Sequence, residues 1–211
     1  RKGQGKSAGL TYDLSIEAGG SSVLKFVIAG SSRSKQEAYN TFDRVMKNSA
    51  DLVMEKAERY KQIESMAQLK TPSASLDQAF LWTKYNTDWL INDVEGLGRG
   101  ITAGNPDYPW FFGADSEYAL QGAIAVGMKD IVYSTIELID SVSNAVNNGS
   151  GKIMHEMSTN GAVFNPGNLN ETPQFATLIW EVFKWTGDKE FLRKYYPTVE
   201  AGLNWLLEEN D

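Results

Sequence analysis

The residues with chemistry to offer are carboxylates set among aromatic rings. The densest such stretch is Asn105–Tyr118, NPDYPWFFGADSEY. Pro106 and Pro109 block a helix through it and favour extended backbone. Trp110, Phe111 and Phe112 follow, Gly113 permits a bend, and Asp115 stands where the next helix is expected to begin. A stiff loop of this kind delivers rings and a carboxylate to one end of a helix. Rings to stack on a pyranose and a carboxylate to accept its hydroxyls make a sugar-binding kit. The plainer reading is a buried aromatic turn with Asp115 as an N-cap.

A second stretch, Asn148 to Thr172, is long, polar and without a periodic pattern, and such loops are often functional. It carries His155, Glu156, Asn160, Asn165, Asn168, Asn170 and Glu171. His155 and Glu156 have equally ordinary readings as a hydrogen-bonded loop histidine and a solvated charge. Glu171 could simply be an acid favoured at a helix N-terminus.

The elements that must position these groups are mainly helical. Residues 1–33 read as strand and turn: Leu10, Tyr12, Leu14 and Ile16 alternate, Gly19-Gly20 turns the chain, and residues 23–29 form a more buried strand. They are expected to be the C-terminal strands of a β-sandwich-like domain. Residues 34–72 read as a helical linker containing one long helix, with Ser34 and Glu37 as a capping box. From residue 73 to 211, helices alternate with loops: about 73–92, 115–127, 129–147, 173–186 and 197–209, with a turn over 191–196. Residues 96–104, rich in glycine, read as loop, and GLGRG lacks the preceding strand and spacing of a phosphate fingerprint. Trp82 and Trp89 read as core, and Trp180, Trp185 and Trp205 as packing between helices. The chemistry-bearing loops are alternate ones, and in antiparallel hairpins alternate loops share an end. Asp115, Glu156 and Glu171 are therefore expected at one mouth.

Composition narrows the field. Of 211 residues, 42% are hydrophobic and 22% charged, enough apolar material for a core. A formal charge of -7 and the lack of a basic stripe argue against nucleic acid. The absence of cysteine excludes disulfides and thiolate-bound zinc but leaves cytoplasmic, periplasmic and secreted locations open. One histidine excludes a multi-histidine metal site, and Asp107 with Asp115 lacks EF-hand spacing, so neither metal nor cofactor is expected. No apolar run is long enough to span a membrane. The chain begins at Arg1 and stops just after an amphipathic helix, the pattern expected of a piece of a longer protein.

YPWFFGADSEYALQGAIAVG resembles the aromatic turn and following helix of the (α/α)6-barrel glycoside hydrolases, particularly the glucoamylase and glycogen-debranching relatives. GKIMHE, NETPQF and WEVFKWTGDKEFLRKYYPTVEAGLNWL, in that order, are similar to the same group, and the resemblance covers about residues 75–211. It implies a mainly α fold, here a partial (α/α)6 toroid preceded by a short β segment and a linker helix. It also implies hydrolysis of an oligosaccharide or polysaccharide of α-glucoside type. Carried over, Asp115 would bind hydroxyls of the terminal sugar, Trp110 and Phe111 would shape the pocket, and His155, Glu156 and Glu171 would line the same mouth. Ala114 stands where relatives often have Arg, and Glu171 where many have Asp, so the sugar contacts at these two positions differ from those of the family. Inverting hydrolysis needs an acid and a base roughly 6.5–9.5 Å apart. The family draws them from later loops, so they are expected beyond residue 211, in the remainder of the barrel. Within these residues the one sensible pair would be Asp115 and Glu171. Rival readings are a lyase or epimerase on the same toroid, and a carbohydrate-binding or scaffold domain without catalysis.

Overall fold

The computed structural model describes residues 9–31 and 33–209, and the chain divides into two compact units, Arg1–Lys56 and Ala57–Asp211, with the boundary inside a helix. In the first unit, no hydrogen-bonded strand forms among the described residues of 9–31, contrary to the expected strands. The chain turns where Gly20 N donates to Glu17 O, and Tyr12 meets Phe26 edge-on. Yet Leu10, Leu14, Val23 and Ile28 face solvent. An alternating segment becomes a strand only when neighbouring strands satisfy its backbone and cover its apolar face, and the described residues supply none.

The expected linker helix is two helices, α1 (Lys35–Lys47) and α2 (Ser49–Ser65). Ser34 caps α1 by accepting from Glu37 N at 3.1 Å, but the Glu37 side chain turns to Ser31 and Arg33, so only half of the capping box forms. Asn48 ends α1, because both its amide and its side-chain Nδ2 donate to Arg44 O.

In the second unit the C-terminal turn of α2 is held by α3 (Ala74–Trp89). The buried Lys84 ammonium donates to the carbonyls of Ile63, Glu64 and Met66, which a helix end otherwise leaves unsatisfied. The segment expected as a glycine loop is a hairpin, β1 (Ile91–Val94) and β2 (Gly98–Ile101), with Asn92 opposite Gly100. Its glycines serve packing as well as turning: a Cβ on Gly100 would lie 3.0 Å from the Phe111 ring and 3.2 Å from Leu138.

Four helices carry the core: α4 (Gly113–Ala125), α5 (Lys129–Val146), α6 (Glu171–Thr186) and α7 (Lys189–Glu208). Each packs on the next within its pair, and α4 lies beside α6 while α5 lies beside α7, giving two helical layers. Leu120, Val132, Ile136, Ile139, Leu178 and Val182 are among the buried side chains between them. α6 stops at Gly187, whose φ of 63° favours glycine, and Asp188 caps α7 by accepting from Glu190 N and Phe191 N. α7 runs unbroken through Pro197, where a turn and a separate helix were expected. Pro197 and Arg193 are exposed, so the carbonyl that proline frees is left to water.

The polar stretch before α6 is also structured. β3 (Phe111–Phe112), β4 (Glu156–Met157) and β5 (Val163–Asn165) form an antiparallel sheet in that order. Ile153, Met154 and Met157 are buried, Ile153 N donates to Thr172 Oγ1, and Met154 N donates to Ser143 Oγ. The tryptophans expected in the core are mostly exposed: Trp82, Trp89, Trp180 and Trp185 each show over two-fifths of their surface.

Candidate functional site

The small sheet joins the starts of α4 and α6. Gly113 N donates to His155 O at 2.8 Å, and Phe112 pairs with Glu156 in register. Gly113 is required there: a Cβ would fall 2.3 Å from Met154 O and 3.1 Å from Glu171 Cγ. The first residue of α4 thus lies against the first residue of α6. The N-termini of these neighbouring helices share one end of the unit.

At this end Glu171 is fully buried and heavily hydrogen-bonded. Its Oε1 accepts from His155 Nδ1 at 2.6 Å and Asn168 Nδ2 at 3.1 Å, and its Oε2 accepts from Asn168 N at 2.9 Å. Burial alone would raise its pKa. Hydrogen bonds from its own amide, His155 and Asn168 outweigh burial and hold the carboxyl below its ordinary value. An ionised Glu171 requires the proton on His155 Nδ1, which leaves Nε2 of this part-exposed ring free to act on a ligand.

Beside His155 stand stacked aromatic rings. Trp110 lies between Phe164, at 4.9 Å and 15°, and Phe112, at 6.3 Å and 25°. Phe112 meets the His155 ring edge-on at 6.0 Å, and Tyr108 meets both Trp110 and Phe112 edge-on. Phe111 is fully buried instead, since adjacent strand residues point to opposite faces. The surface ring partnering Trp110 is therefore Phe112. Phe164 and Tyr108 were not singled out in the sequence. The available signal for Phe164 was a lone aromatic ring within the polar stretch 148–172.

Asp115 is not the N-cap. The cap position belongs to Phe112, whose side chain makes no capping bond, and Asp115 sits exposed in the first turn. It lines an open cleft of ≈ 570 Å³ together with Leu90, Thr102, Ala103 and Tyr118. Glu171 and His155 do not line that cleft. Asp115 and Glu171 thus share an end of the helical layer, but Asp115 faces this cleft while Glu171 is buried away from it, so the expected single mouth does not form. Glu156, half-buried in β4, pairs in register with Phe112 and Asn165.

One further carboxyl comes to light. Glu117 is wholly buried, one helical turn after Gly113 on the same face of α4, and neither of its oxygens has a hydrogen-bond partner among the described residues. Burial pushes it up to about 9, and the nearby Glu171 charge adds to the rise. Gln174 Oε1 on α6 is also buried and unpartnered.

Comparison with known proteins gives a relative at low identity. An uncharacterized glycosyl hydrolase of Methanocaldococcus jannaschii is 27% identical over 121 residues, 56% of this chain and 18% of the relative. The chain thus spans under a fifth of that protein's length. No family model and no solved structure matches the chain.

Proposed function

We propose that this chain is part of a glycoside hydrolase and supplies one wall of its sugar-binding site. The observation that carries the reading is the convergence, at the joined starts of α4 and α6, of a buried carboxylate–histidine pair and a stack of part-exposed rings. Carbohydrate sites combine these features: rings meet the C–H faces of a pyranose, and fixed polar groups select its hydroxyls. The glycosyl hydrolase similarity points the same way.

More narrowly, the reading is an (α/α)6-toroid enzyme of the glucoamylase and debranching type, acting by inversion on an α-linked oligosaccharide. The two layers of α4 with α6 and α5 with α7 suit a section of such a toroid. In this reading Trp110 and Phe112 form the platform, His155 Nε2 and Asp115 take sugar hydroxyls, and Glu171 orients His155. Glu156 stays a rim contact. The general acid and base come from the protein outside these 211 residues. Asp115 and Glu171 are poor substitutes, since Asp115 faces a cleft that Glu171 does not line and Glu171 is fully buried.

Calorimetric titration of the full-length protein with malto-oligosaccharides tests the site. Trp110→Ala and His155→Gln should each weaken binding by roughly tenfold or more, the loss of one good ligand contact. Unchanged affinity in both, with native circular dichroism, would contradict the placement.

A further inference from the structure

Glu117 has no part in the pocket, yet its position is unusual for a glutamate. It has no exposed surface, and both carboxyl oxygens lack a hydrogen-bond partner among the described residues. It occupies the face of α4 that begins at Gly113, where α4 meets the Glu171 side chain. Among the described residues, Glu171 on α6 is the charged group whose field acts on it. The ionisable residues of α5, the other helix packed on α4, all reach solvent: Lys129, Asp130, Tyr133, Glu137 and Asp140. From the sheet side, His155 bonds Glu171 and Glu156 is half-buried, while on α4 itself Asp115 and Tyr118 are exposed.

Ionising both Glu117 and Glu171 would set two like charges acting on each other away from water, so the proton belongs on the one that lacks hydrogen bonds. Glu171 accepts hydrogen bonds from His155 and Asn168, while Glu117 accepts none among the described residues, which assigns the charge to Glu171 and the proton to Glu117. We propose that Glu117 is a positioning residue for the Glu171–His155 pair: as a neutral acid between α4 and α6, it leaves Glu171 the single charge that keeps the His155 proton on Nδ1 and Nε2 free. The relevance of this pair to sugar rests on the function proposed above, but the coupling does not.

The desolvation behind Glu117 predicts that it ionises near pH 9, adding a second negative charge beside Glu171. The test is an NMR pH titration of the full-length protein without sugar, with the His155 imidazole assigned by its loss in His155→Gln. Its nitrogen shifts should inflect between about pH 8 and pH 10. Glu117→Gln, which cannot ionise, should abolish the inflection and keep the Nδ1–H tautomer at neutral pH. Glu117→Asp should restore it at a shifted pH. A flat wild-type titration, or an inflection that survives in Glu117→Gln, overturns the proposal. The wild-type titration decides by itself if the variants fail to fold. An inflection lost in Glu117→Gln while oligosaccharide affinity ignores both pH and His155→Gln upholds the coupling and contradicts the sugar reading.

Discussion

A carboxylate held by several hydrogen bonds and a neighbouring carboxyl that accepts none affect stability in opposite ways as pH changes. Glu171 is held below its ordinary value, so its stabilisation is fully present above about pH 4.5 and is lost as pH falls through its folded pKa. Glu117 is raised to about 9, so between its unfolded value of 4.5 and 9 the folded state holds a proton that the unfolded state has released. Stability therefore declines as pH rises through that window and levels off above it. Urea midpoints of Glu117→Gln should decline less than wild type between these limits; parallel profiles would contradict the assignment. Asp115 is a different case, exposed and free of any capping bond. Asp115→Ala should weaken oligosaccharide binding roughly tenfold while changing stability by under about 1 kcal/mol. Glu171 was legible in the sequence because it opens a helix after a polar loop. Glu117 was not, because its burial comes from α6 packing on that face of α4, and sequence alone does not say which helix covers which face.

At the scale of elements, close backbone approaches hold the site in place. Gly113 lets α4 begin against Met154 O, and Gly151 meets Gly202 so closely that a Cβ on Gly151 would fall 2.1 Å from the Gly202 amide nitrogen. Gly113→Ala should destabilise the unit by about 1–3 kcal/mol, the range for overpacking, and scatter the His155–Glu171 geometry. A thermal midpoint equal to wild type would contradict this packing. Phe164→Ala should cost little stability, since this ring is 60% exposed, but should reduce sugar affinity through loss of its stack on Trp110. The helices α4, α5 and α6 were readable from apolar spacing and from Gly187. The β1–β2 hairpin was not, because Gly98 and Gly100 punctuate the chain as a loop would, while their real constraint is room for Leu138 and Phe111. Pro197 similarly argued for a helix start, whereas its exposed position lets α7 continue.

For the whole molecule, the mainly helical architecture was legible in the alternation of apolar stripes and loops. The alternation of residues 10–16 and 23–29 promised strands, but a strand depends on partners that no local pattern can supply. The exposed Trp82 and Trp89 on α3, and Trp180 and Trp185 on α6, are surfaces that further hairpins of a toroid would cover in the proposed enzyme. In the proposed enzyme, catalysis would belong to the complete protein, this chain would hold the sugar, and carboxyls elsewhere would perform the hydrolysis. The most direct test is hydrolysis of aryl α- and β-glycosides and malto-oligosaccharides by the full-length protein, with the anomer of the first product read by NMR. The account predicts turnover of an α-glucoside with release of the β-anomer. Sugar binding without turnover on any substrate would contradict the hydrolase claim and leave a carbohydrate-binding domain in its place.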